Sequence, residues 1–96
     1  MATKMTFNGL PAYQEGCFAL VKNEEDLMWN VYHIDSGMKA MWIVPQFKQK
    51  RDAMVYVKEL METSINWSVK TAQELVERNG FDMVYSVISE IYRKVN

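Results

Sequence analysis

His33 and Cys17 are the chain's one histidine and one cysteine, and so its readiest base, nucleophile and soft metal ligands. A zinc site wants three or four His, Cys or carboxylate ligands. No cluster in the sequence has that spacing, so no metal is expected. A Cys17–His33 dyad on adjacent strands would pair a nucleophile with a base, but no third group is identifiable to orient the imidazole. We expect His33 to be a solvated or tip-packing residue beside a turn. Cys17 is expected to fill space as a small apolar group at a strand start.

Glu24, Glu25 and Asp26 are contiguous. The acids of a calcium loop alternate along the chain, and these do not, so a charged turn is expected. Lys48, Lys50 and Arg51 form the basic cluster of the sequence, at the start of a helical segment where the dipole disfavours cations. A residue set against its local preference can mark an anionic contact. Asp52 offsets part of that charge, and three cations are few for phosphate-driven binding. Together with Lys39 they are the residues that would touch an anion or nucleic acid. The four glycines, at 9, 16, 37 and 80, are dispersed, so no phosphate-cradling turn is present. With no acid, base or nucleophile set and no cofactor motif, the chain is expected not to be an enzyme.

The bulk numbers narrow the classes further. Ninety-six residues, 49% hydrophobic and 24% charged, suit a single globular domain spanning 1–96. Net charge is −1, with four basic and five acidic residues in 1–48 and seven of each in 49–96. A phosphate binder carries a positive surplus and a nucleic-acid mimic a large negative one. Neither is present, which argues against nucleic acid as a partner. An unpaired cysteine fits a reducing compartment. No stretch suits a signal peptide, and the longest apolar run, Ala40 to Val44, is far too short to span a membrane. A soluble cytoplasmic protein without a membrane partner is expected.

These residues must be positioned by strands that come first and helices that follow. A short strand is expected at Lys4–Phe7 before the turn signals Asn8-Gly9 and Leu10-Pro11. Cys17–Val21, Leu27–Ile34 and Met38–Val44 read as strands, the last ended by Pro45. Asp35-Ser36-Gly37 joins the last two as a three-residue loop. Arg51–Thr63 has helical spacing, with Ala53, Met54, Val57, Leu60 and Met61 on one face. A second helix is expected from a cap at Ser64 or Asn66, with Ile65, Val69, Ala72, Leu75 and Val76 as its stripe, stopping at Asn79-Gly80. Asp82 caps a third, with Val84, Val87, Ile88, Ile91 and Val95 inward. The fold class is α+β: an antiparallel meander of three or four strands over about residues 4–44, then about three helices over 50–95 packed on it. The link Phe47-Lys48-Gln49-Lys50-Arg51-Asp52-Ala53, with the meander before it, resembles in architecture the arm-type DNA readers of integrases. The strands lack the Arg and Lys such readers use.

The hairpin carries the functional hint. A three-residue loop places Met28, Asn30, Tyr32 and Ile34 on one side with Val44, Trp42, Ala40 and Met38. Trp29, Val31 and His33 then face Ile43, Met41 and Lys39 on the other. A slipped register regroups them, yet each face keeps at least three large apolar or aromatic side chains. One face belongs on the helices. For the other there are three accounts: the helices wrap it as well, the N-terminal segment, with Phe7, Leu10 and Tyr13, folds across it, or it serves as an interface. The expected function is a small non-catalytic protein-interaction module, a regulator or inhibitor, of the kind a phage or mobile element uses as an accessory protein. It would act through Met28, Asn30, Tyr32, Ala40 and Trp42 on a protein partner, on itself as a homodimer, or on both. The alternative is a nucleic-acid-binding domain using the meander and the basic loop from Lys48 to Arg51.

Overall fold

The computed structural model describes residues 3–37 and 46–95. Five strands, β1 (Thr3–Phe7), β2 (Leu10–Glu15), β3 (Phe18–Lys22), β4 (Trp29–His33) and β5 (Gln46–Phe47), pair antiparallel in the order β1-β2-β3-β4-β5. Three helices follow, α1 (Lys50–Met61), α2 (Ala72–Asn79) and α3 (Phe81–Val95). This is the expected α+β meander with its helices, one strand richer than the sequence pattern suggested.

The extra strand is β2, and local chemistry explains it. Asn8 and Gly9 both have positive φ (50° and 80°), as a two-residue type I′ turn requires, so the chain doubles straight back on β1. Pro11 is tolerated there because β2 pairs with β3 only from Tyr13 to Glu15, so no β3 partner is waiting for an N–H at Pro11. The next turn, Gly16-Cys17, takes its positive φ at Gly16 (60°). The following loop is closed by side chains: Asn23 Oδ1 accepts from the Glu25 N–H (2.8 Å) and Asp26 Oδ1 from the Met28 N–H (2.9 Å). The acidic run is thus a charged turn, as its contiguity implied.

Three expectations are corrected. α3 begins at Phe81, so Asp82 lies in its first turn and does not cap it. Trp29 pairs with Phe47 and Asn30 with Gln46, rather than with Ile43 and Trp42. A proline forgoes its own ladder bond but does not bar the residues after it, and burial of Phe47 between Tyr56 and Tyr92 fixes that register (ring centroids 5.1 and 5.4 Å). The strand expected at Met38–Val44 lies outside the described residues. The second helix begins at Ala72, not after Ser64 or Asn66. Thr71 is its cap, accepting from the Glu74 N–H (3.1 Å), while Glu74 Oε1 reaches back to the Lys70 N–H (2.7 Å). This is a capping box, Thr-x-x-Glu. Ile65 and Val69 are buried all the same, on an irregular segment clamped to the end of α2 by Asn79. That side chain accepts from the Asn66 N–H (2.7 Å) and donates to the Asn66 and Leu75 carbonyls.

The main core sits between the sheet and the helices. Phe18, Leu20, Val31 and Phe47 meet Ala53, Tyr56, Val57 and Leu60 of α1, with Leu75, Val84, Ile88 and Ile91 behind. α1 lies against β2 to β5, α3 packs on α1, and α2 on α3. Burial, with the nearby Tyr92, pushes the Tyr56 hydroxyl far above its usual pKa. Among the described residues no helix is long and apolar enough to cross a membrane.

Candidate functional site

Strand alternation sorts β4 into two sets. Trp29, Val31 and His33 face the helices, and Asn30, Tyr32 and Ile34 face the other way.

On the helix side the groups with most chemical potential are already committed. His33 is fully buried, not solvated at a loop tip. Its Nε2 lies 2.8 Å from the Trp67 carbonyl, which can only accept, so Nε2 carries the proton. Nδ1 then accepts from the Ser36 hydroxyl (2.9 Å). The ring touches Phe18 and Trp67, and Trp67 Nε1 donates to the Leu60 carbonyl at the end of α1 (3.1 Å). His33 therefore ties the end of β4 to the α1–α2 connection. Burial pulls its pKa below the usual histidine value, against the pull of the Trp67 carbonyl and Asp35. Cys17 is half-buried, and burial raises its thiol pKa, which disfavours the nucleophilic thiolate. Among the described residues no three His, Cys, Asp or Glu side chains gather as a metal site.

The opposite face carries a separate apolar cluster. Phe7, Ala12, Ala19 and Val21 are buried, with Met5, Tyr32 and Ile34 half-buried against them. Among the described residues all but Ile34, which directly follows β4, are strand residues, and no helix residue joins the cluster. Phe7 and Tyr32 stand on β1 and β4, three strand spacings or roughly 14 Å apart. Their rings nevertheless meet, with centroids 5.1 Å apart. They can do so because the residues between are Ala12 and Ala19, whose small side chains let the rings lean together over the sheet. The N-terminal segment thus covers part of this face through Phe7. Leu10 shares the face but is 54% exposed, and Tyr13 lies on the helix side.

What the rings leave uncovered is a cleft of about 420 Å³, floored by Val21, Asn30 and Tyr32 and walled by Leu10 and Pro11, with Glu24 and Glu25 on its rim. Asn30 is its odd member. The residue is only 3% exposed, and among the described residues its buried Oδ1 has no hydrogen-bond partner. A buried acceptor left unpaired costs about 1–3 kcal/mol, which a water or an incoming N–H donor in the cleft would relieve.

The candidate residues from the sequence divide accordingly. Asn30 and Tyr32 share this cleft. Met28 lines a different one with Gln46, Lys48, Asp52 and Tyr92. Lys39, Ala40 and Trp42 lie outside the described residues. The basic loop does not converge on one point. Lys48 is exposed, Lys50 sets its ammonium 3.3 Å from the Tyr13 ring centroid, and Arg51 donates to Gln49 Oε1 (2.9 Å). Leu10, Pro11 and Val21 were missed as site residues. The signal for them was Asn8-Gly9, since an I′ turn there brings the following strand beside Phe7. Comparison with protein-family models, curated proteins and solved structures finds no match to this chain.

Proposed function

We propose that this chain is a small non-catalytic interaction module that receives a partner protein on the sheet face away from the helices, in the cleft around Asn30 and Tyr32. The observation that carries the reading is the orphaned Asn30 acceptor beside apolar Val21, Leu10 and Tyr32. A partner segment that inserts an apolar side chain and donates one N–H would satisfy both, in the manner of a small desolvated anchor site. The rim carboxylates Glu24 and Glu25, next to Asp26, favour a segment that also carries Lys or Arg. Occupying a surface in this way is how a regulator or inhibitor acts without chemistry of its own.

The test is capture from the native host by the wild-type chain, identification by mass spectrometry, and reconstitution with the purified partner. Tyr32→Ser and Leu10→Asp should abolish the reconstituted complex while thermal melts show a folded protein. A complex indifferent to both substitutions would place the partner elsewhere and end the proposal. A dimer in solution that the same substitutions dissociate would put a second copy of this chain in the cleft.

A further inference from the structure

A second cleft, of about 430 Å³, opens on the helix side of the sheet, towards its β1 edge. Lys4, Thr6, Tyr13, Lys22, Glu24 and Trp29 line it, with Met5, Pro11 and Ala12 completing the wall. The register explains the grouping, because Lys4 stands directly opposite Tyr13 and Lys22 opposite Trp29, each pair on one face. The two rings lie 6.1 Å apart at 52°. Lys50 joins them from α1, its ammonium 3.3 Å from the Tyr13 centroid and 6.0 Å from that of Trp29. Two lysines thus line the cleft with the two rings, a third caps the Tyr13 ring, and Glu24 is the one acid in the lining. The chain as a whole carries net −1, so this is a local surplus of positive charge. Lys4 and Lys22 are exposed, and among the described residues neither is engaged in an ion pair.

Aromatic surface beside unpaired ammonium groups matches a ligand with a planar ring and a phosphate. Lys4 and Lys22 line this one cleft and Lys50 reaches its Tyr13 ring, and three cations are too few to track a strand. The volume falls within the range of small-ligand sites. We propose that this cleft binds a free mononucleotide, its base against Tyr13 and Trp29 and its phosphate among Lys4, Lys22 and Lys50. Pro11, Lys22 and Glu24 line both clefts, so the two sites adjoin; Lys4 and Tyr13 line only this one and Asn30 and Tyr32 only the other, and substitutions at those residues test the two sites separately.

The experiment is an amide chemical-shift titration of the intact chain with AMP at low salt, alongside adenosine and inorganic phosphate. AMP should give saturable shifts at Lys4, Tyr13, Lys22 and Trp29, with a dissociation constant on the order of 1 mM. Adenosine and phosphate should each bind about tenfold more weakly, since each keeps half of the contacts. Lys4→Glu, on an exposed strand position that lines this cleft and not the other, should weaken AMP about tenfold without altering the melt. Tyr13→Leu should remove the preference for AMP over phosphate. Absence of saturation up to about 10 mM would overturn the proposal. So would equal affinity for AMP and phosphate, or an unchanged affinity in Lys4→Glu. A short single strand saturating the same residues at far lower concentration would overturn the free-nucleotide assignment in favour of a strand.

Discussion

Replacing Asn30 by leucine separates stability from function at one position. Asn30 is 3% exposed and its Oδ1 is unpaired among the described residues, so the folded chain bears the desolvation cost of that acceptor. That cost is about 1–3 kcal/mol. Leucine has a similar bulk and would lie opposite Val21 in the ladder, beside Tyr32. Its branched end will not match the amide's flat shape, a misfit worth up to about 1 kcal/mol. The balance is a gain of about 1–2 kcal/mol in unfolding free energy. For a chain of this size each kcal/mol moves the midpoint by about 4–8 °C, so Tm should rise by about 5–15 °C. Thermal melts and urea titrations followed by circular dichroism measure it, with an unchanged urea slope as the check that the folded state is the same. The partner complex should weaken in the same variant. A loss of more than about 1 kcal/mol would refute the reasoning, because it would mean that the amide already serves the fold.

Four further outcomes follow from the geometry. The His33 pKa is lowered in the folded chain, so below pH 6.5 the unfolded chain takes up a proton that the folded chain resists. Stability should therefore be flat above that pH and fall as pH drops through the folded pKa, and His33→Gln should flatten the slope in urea titrations at pH 5 to 7. Gly16 has φ +60° and a Cβ there would run into the Met61 thioether, so Gly16→Ala should cost about 1–2 kcal/mol from the left-handed backbone alone. Adding Met61→Ala should recover only the steric remainder, since Met61 is a flexible, 45% exposed side chain. Leu27 is held at φ +60° while 60% exposed, and Leu27→Asn, a residue that tolerates this region, should raise stability by about 0.5–1 kcal/mol in the same melts. Cys17, its thiol pKa raised by burial, should react with a thiol reagent at neutral pH more slowly in the folded chain than in urea. Equal rates in the two states would refute its protected environment.

Much of the architecture was legible in local chemistry. Strands before helices gave the class, Asn8-Gly9 and Asn79-Gly80 marked real boundaries, and the stripe of Val84, Ile88 and Ile91 on α3 is buried as its spacing implied. The misses share a physical cause. Ile65 and Val69 have helical spacing, yet a buried stripe can be laid down by an irregular segment when side chains clamp it, as Asn79 and Trp67 do here. The capping box at Thr71 and Glu74 was the better signal for that helix start, because it names the residue where orphan N–H groups must be satisfied. His33 looked like a tip residue because its partner, the Trp67 carbonyl, is 34 residues away and no local pattern announces it. Within the candidate site Asn30 and Tyr32 were identifiable by alternation. Their neighbours were not, since Phe7 reaches Tyr32 only through the register of two intervening strands.

The two sides of β4 now make one argument. A binding surface is useful when the element presenting it does not move, and β4 is held from behind. Val31 is buried in the helical core, Trp29 packs at its edge beside Tyr13, and His33 spends both ring nitrogens on Ser36 and Trp67. Each of these contacts is internal and satisfied. On the other side of the same five residues, Tyr32 leans on Phe7 and Asn30 keeps an acceptor that no described residue uses. The asymmetry fits a strand anchored by its odd-numbered residues so that its even-numbered ones can meet something else. It also sets the order of failure. Loss of the His33–Trp67 bond should loosen the cleft before it unfolds the chain, so His33→Gln at neutral pH should weaken the partner complex more than its modest change in melting would suggest. Partner affinity that tracks stability alone across His33→Gln and Gly16→Ala would show that β4 transmits nothing to the cleft beyond its own folding.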